Sequence, residues 1–198
     1  MRKIITTFII FSGLILLLIS TFNCKKQAEV IQEMIINHDT IYLTDSVLIN
    51  DFVNEEGTKF ILIRHGETDG IGSNPGLSAV GQQRIEKLKY ILKNVQLESV
   101  YSTNFNRTLN SAEPIALDHD LDVTIYNFND LDGFVDQVLA AFNNDIVLVV
   151  GHRDTTPELL NVLTGSFDFL ELTAVAYDNF YLVTVFSKGD ANVLHFKY

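Results

Sequence analysis

The 198-residue chain has one cysteine, Cys24, so no internal disulfide can form and a cysteine-based zinc site is excluded with it. It is also short of positive charge: 14 Lys and Arg stand against 25 Asp and Glu, a formal net charge of −11. A field of that sign repels phosphate backbones and argues against nucleic acid as a partner. Any anionic ligand must therefore be drawn in by a local cluster of Arg and His. Features of disorder are missing too. With 47% hydrophobic and 20% charged residues, the chain can bury the core of one ordinary domain.

The longest apolar run lies at the start, Ile4–Phe22, behind Arg2 and Lys3 and directly before "NCKK". A positive n-region followed by an apolar h-region is the pattern of a secretory signal. The run ending at Cys24 resembles a bacterial lipoprotein signal, in which that Cys becomes the lipidated first residue, although Asn23 stands where a small residue is usual. An uncleaved anchor and a cleaved soluble form are the alternatives, since 19 residues just span a bilayer. Lys25 and Lys26 balance Arg2 and Lys3, so flanking charge hardly decides orientation. The membrane readings put the catalytic part outside the cytoplasm, in the cell envelope. Residues 1–23 are thus expected to be a signal or anchor, 24–58 a spacer, and 59–198 the functional domain. The spacer has no glycine before Gly57, and its tandem echo "DTIYLT" and "DSVLIN" alternates as extended structure does.

From Lys59 onward strands and helices alternate. "KFILI" (59–63), "LESVYS" (97–102), "LDVTIY" (121–126) and "DIVLVV" (145–150) read as strands, the last apolar enough to be covered on both faces. Helices are expected over 77–94, with Ser78 as N-cap, over 106–117, and over 130–144. A fourth begins with Thr156 as cap and Pro157 as first helical residue, and stops at Gly165. The tail, "NFYLVTVF" and "ANVLHFKY" joined by "SKGD", is a hairpin. The fold class is therefore α/β: three layers, α/β/α, around a mostly parallel central sheet with a C-terminal β-hairpin.

Ligands of an open parallel sheet gather where strands end at their carboxyl edges. "FILI" runs into Arg64-His65-Gly66, and "IVLVV" into Gly151-His152-Arg153. If these strands are neighbours, two imidazoles share one edge, and Arg107 starts a helix that follows another strand. Two Arg and two His suit a tetrahedral dianion, because Arg offers forked donors and a neutral imidazole can attack phosphorus.

The order of "RHGET" (64–68), "LSAVGQQR" (77–84), "YSTNFNRTLNSAE" (101–113) and "VGH" (150–152) resembles the histidine phosphatase superfamily, the phosphoglycerate-mutase-like phosphatases. The resemblance implies that His65 is a nucleophile that becomes phosphorylated. Arg64 and Arg107 would bind phosphoryl oxygens, with Gly66 leaving room for phosphate to approach the backbone, and His152 would stabilise the transition state. It implies neither metal nor cofactor, and a small phosphorylated substrate or a phosphoprotein as partner.

Two departures stand out. Ile71 occupies the place of an Asn that touches phosphate in many members. The insertion that carries the general acid of mutase-like members is missing, and the position after the second His is Arg153, with Asp154 one place later. Asp154, Asp130, Asp132 and Glu67 are the candidate acids. Asp154 is favoured for its proximity to His152 but is equally suited to be a cap or turn residue, and Asp130 is well placed as the N-cap of its helix. Without a strong acid, phosphoramidates and esters with good leaving groups are the plausible substrates. The alternative is a non-catalytic protein that keeps the fold and phosphate pocket. His38, His119 and His195 read as structural or exposed, and "DHD" (118–120) cannot turn three adjacent side chains onto one ion.

Overall fold

A computed structural model of the protein describes residues 35–37, 40–42 and 55–198. The apolar run Ile4–Phe22, Cys24 and His38 lie outside the described residues, as does the second half of the tandem echo. Two short strands in the expected spacer, β1 (Ile35–Asn37) and β2 (Thr40–Tyr42), pair antiparallel as a two-stranded sheet of their own.

The domain is organised by β3 (Thr58–Arg64), every residue of which is buried. Period-two alternation sends its side chains to two different cores. Ile61 and Ile63 pack with α1 (Ala79–Leu92) and α2 (Asn106–Asp118), while Phe60 and Leu62 pack with α3 (Leu131–Ala141) and α4 (Thr155–Thr164). Helices on both faces make the three expected layers. β4 (Leu97–Ser102), β5 (Val123–Ile125), β6 (Ile146–Gly151), β7 (Asn179–Ser187) and β8 (Asp190–Lys197) complete a six-stranded sheet of order β5-β4-β6-β3-β7-β8. The pairings from β5 through β3 are parallel, and the β7–β8 hairpin adds antiparallel to the far side of β3.

Local chemistry sets the element ends. Ser78 caps α1, its Oγ accepting from Gly81 N at 3.1 Å, and Asp130 caps α3 by accepting from Gly133 N at 3.0 Å. Gly165, at φ 64°, ends α4 in the left-handed conformation that glycine adopts without a Cβ clash. Three boundaries differ from expectation. α3 stops at Ala141, because Phe142 turns extended, its carbonyl accepts from Thr58 Oγ1, and Asn144 at φ 65° reverses the chain into β6. β5 is shorter than its apolar run. α4 begins two residues earlier, with Asp154 rather than Thr156 at the cap. Pro157 is then the third helical residue, tolerated because first-turn N–H groups have no partner within the helix. Among the described residues no helix is long and apolar enough to cross a membrane.

Candidate active site

β3 and β6 are parallel neighbours with Arg64 opposite Gly151, so both strand ends deliver their histidines to one edge. His65 N donates to Gly151 O at 3.0 Å, which locks the two turns together. The ring centroids of His65 and His152 lie 5.5 Å apart. Together with Arg64, Arg107 and Asp154 they line a cavity of about 430 Å³ at the carboxyl ends of the strands.

Hydrogen bonding fixes the tautomer of His65. Its Nδ1 lies 2.7 Å from Gly66 O, an acceptor only, so Nδ1 carries the proton and Nε2 keeps its lone pair. Burial lowers its pKa from 6.5 to about 3, with the neighbouring Arg64, His152 and Arg107 adding to the effect against the opposing bond to Gly66 O. At neutral pH the ring is uncharged.

His152 is held from behind. Its Nε2 meets Thr103 Oγ1 at 2.8 Å, and Thr103 Oγ1 meets Thr108 Oγ1 at 2.9 Å. The single hydroxyl proton of Thr108 has Thr103 Oγ1 and the carbonyls of Thr103 and Phe105 within reach, and when it goes to Thr103 Oγ1 the Thr103 hydroxyl is left to donate to His152 Nε2. All three side chains are buried, and Nδ1 of His152 is left buried without a partner. Burial, then Arg107, lowers the His152 pKa to about 4. When Thr103 donates to Nε2, the neutral ring keeps its proton on Nδ1, ready for an anion.

The two arginines are placed by different means. Arg64 is 5% exposed, and its Nη1 donates to the carbonyls of Thr173, Ala174 and Ala176 at 3.0–3.3 Å. Its guanidinium lies 3.8 Å from the centroid of the Tyr177 ring. Nε is buried without a partner, so one edge of the fork is anchored and the other is unused. Arg107, in the first turn of α2, lies over the Phe105 ring at 4.5 Å. Burial lowers the pKa of both guanidinium groups, with Asp154 opposing this at Arg107, but Arg titrates so high that both stay cationic. The result is a local cluster of positive charge at a cavity of an acidic protein.

The candidate acids separate clearly. Glu67 is committed to Arg84 through contacts of 2.6–3.1 Å, Asp132 pairs with Lys188, and Asp130 is the cap of α3. Asp154 lines the cavity, and its Oδ1 accepts from Thr155 N at 2.8 Å.

Gly66 sits against α1. Its N–H donates to Ser111 Oγ, and a Cβ there would stand 3.0 Å from Gly81 O, so its small size admits the backbone of α1. Ile71 is exposed, and Asn74 instead pins this loop to the start of α2, its Oδ1 accepting from Asn106 N. Asp118 of "DHD" pairs with Lys89. Among the described residues no group of three or more His, Cys, Asp or Glu is placed to hold a metal ion. Thr103 and Thr108 fall inside "YSTNFNRT" and could have been marked as polar residues due for burial. Phe105 lies in the same motif, whereas Tyr177 and Phe128, which also line the cavity, carried no periodic or motif signal.

Residues 60–128 match the family model of the histidine phosphatase superfamily (branch 1), a stretch that contains Arg64, His65 and Arg107. The structure resembles the protein histidine phosphatase SixA bound to tungstate, with a TM-score of 0.60 and 16% identity over 70% of this chain and 96% of that one. A mycobacterial glucosyl-3-phosphoglycerate phosphatase gives 0.57 and 13%, over 68% of this chain and 96% of its own. An Entamoeba histolytica phosphoserine phosphatase mutant in complex with phosphoserine gives 0.56 and 15%, over 69% and 94%. Likeness at these identities establishes the fold, and the family match supplies the motif-bearing half of the site. The class these likenesses define is the fold of the histidine phosphatases, with the family match confined to residues 60–128. Among curated proteins none matches the chain.

Proposed function

We propose that the domain is a metal-independent phosphatase that hydrolyses a phosphomonoester or phosphoramidate through a phosphohistidine at His65. The observation that carries this is the bond from His65 Nδ1 to Gly66 O, which leaves an unprotonated Nε2 beside two arginines that no carboxylate neutralises by a direct ion pair among the described residues. Nε2 forms a bond to phosphorus as the bond to the leaving group breaks, and the leaving atom departs with that electron pair. Asp154 supplies its proton. The phosphorylated ring is cationic, and its Nδ1–H stays on the Gly66 carbonyl. Water then attacks phosphorus, gives its proton to Asp154, and releases inorganic phosphate with neutral His65. Arg64, Arg107 and Nδ1–H of His152 stabilise the charge that spreads over the equatorial oxygens, which is most of what phosphoryl transfer asks of a protein.

The test uses the full-length chain with p-nitrophenyl phosphate and acetyl phosphate in the presence of EDTA. Turnover that survives EDTA and falls on the order of a thousandfold in His65→Ala is expected. Turnover indifferent to His65 overturns the reading. Phosphate binding that depends on Arg64, without turnover of any substrate, overturns it in favour of a non-catalytic binding protein.

The same reading tethers the domain to a membrane outside the cytoplasm through residues 1–24. Its support is the charge and hydropathy pattern around Cys24, and loss of lipid labelling in Cys24→Ala is the expected result.

A further inference from the structure

The cavity has a second character that phosphate chemistry does not require. Phe105 and Phe128 stand beside the phosphoryl site, ring centroids 5.9 Å apart, each presented edgewise to His152 at 5.3 and 6.2 Å. Both are only half-buried and both line the cavity, together with Pro75. Phe105 also breaks a local rule. It occupies the N-cap of α2 without any side-chain cap hydrogen bond, where helices favour Ser, Thr, Asp or Asn. Such local inconsistency is expected where function outweighs stability. Phe128 comes from the loop between β5 and α3, between the exposed residues Asn127 and Asn129. Two independent loops thus each bring one phenyl ring to the mouth of an anion site.

We propose that the pocket takes an aryl phosphate, with Phe105 and Phe128 selecting the flat ring of the leaving group. The inference rests on the phosphatase reading above and names the substrate class of that site. Stacked or edge-to-face rings are favoured over equally large aliphatic groups. The acid side of the site agrees. Asp154 already accepts from Thr155 N, and a phenol, which ionises near pH ~10 as a tyrosine does, needs less protonation than an alkoxide. Nε2 of His65 forms the N–P bond as the aryl P–O bond breaks. The phenolate oxygen leaves with the electron pair and takes its proton from Asp154 or water.

Steady-state kinetics on the full-length chain compare phenyl phosphate with a fluorinated alkyl phosphate whose alcohol matches phenol in acidity, which separates ring recognition from leaving-group chemistry. The wild type is expected to prefer phenyl phosphate about fivefold or more in kcat/KM. Phe128→Ala should reduce that preference to about twofold or less, mainly through KM. Phe128→Leu keeps the volume but not the ring, and should reduce it as well while preserving the fold. A wild type with no preference, or a preference retained in both variants, overturns the inference. Acetyl phosphate, in wild type and His65→Ala, tests the underlying reading separately: turnover that does not depend on His65 sinks that reading and the inference with it. Free phosphotyrosine and a short phosphotyrosine peptide distinguish the source of the ring. A faster peptide assigns it to a protein, a faster free amino acid to a small molecule, and either supports the aryl assignment.

Discussion

Replacing Gly81 by alanine tests how the site is held, because two effects of opposite sign meet there. Gly81 is the third residue of α1, and alanine is intrinsically better in a helix by about 1 kcal/mol. Against that, the new Cβ would stand 2.8 Å from Glu67 N and 3.1 Å from Glu67 C, and closer still to Glu67 O. These are backbone atoms and cannot swing aside. Glu67 is fixed twice more, by Ser78 N donating to its carbonyl at 2.8 Å and by the Arg84 guanidinium on its carboxylate. Overpacking costs about 1–3 kcal/mol, and loss of the Ser78 bond adds about 1 kcal/mol. The clash wins, for a net destabilisation of about 1–3 kcal/mol. The displaced Glu67 is two residues from His65, so kcat should fall about tenfold or more, since misplacement near 1 Å can cost about a hundredfold. Urea unfolding with an unchanged m-value reads the first quantity and steady-state turnover the second. A Gly81→Ala protein as stable and as active as wild type would refute the argument that Gly66 and Gly81 are the contact between α1 and the catalytic strand end.

The two buried histidines predict a pH dependence of stability. Their folded pKa values of about 3 and about 4 lie below the ordinary 6.5, so the unfolded chain binds protons first. Their contribution is therefore full above about pH 6.5 and is lost as pH falls toward 4, at up to about 1.4 kcal/mol per pH unit for each ring. A His65→Gln, His152→Gln double variant should show a shallower fall between pH 6.5 and 4.5, and an identical slope would contradict the assignment. Tyr177→Leu should raise KM for phosphate esters several-fold by loosening Arg64, whereas Tyr177→Phe, which keeps the ring face, should remain near wild type. Thr103→Val leaves Nε2 of His152 without its hydroxyl partner. It should lower kcat about tenfold or more with little change in KM, and equal loss through KM would assign Thr103 to ground-state binding.

The sheet edge that carries the two histidines was legible because its two strands are uninterrupted apolar runs that each end in a His. Runs of that kind are buried centrally, and central parallel strands bring their carboxyl ends together. Ser78, Asp130 and Gly165 were legible as caps because capping is local chemistry. The packing at Gly66 was not legible for a physical reason: sequence marks a glycine as a place without a side chain, but not which neighbour fills the space, here Gly81. The Thr103–His152 contact spans 49 positions, and spacing carries no trace of it. The segment 166–178 has neither period two nor period 3.6, yet it supplies three carbonyls and an aromatic face to Arg64. Such loops earn their shape from the site they surround. The early start of α4 follows from Asp154, whose sequence position suits an acid or a cap alike, while Thr156 before Pro157 is the stronger local cap signal. The Asp154 side chain caps the helix from the cavity wall.

The central claim is a covalent phosphohistidine at His65, and a single-turnover experiment reads it directly. Full-length enzyme in excess over labelled substrate is quenched in base at intervals, and the label is mapped by peptide mass. The account predicts a base-stable, acid-labile phosphoryl group on the peptide containing His65, forming before inorganic phosphate and absent in His65→Ala. Label that reaches phosphate without a protein-bound stage, or that settles on any other residue, contradicts it.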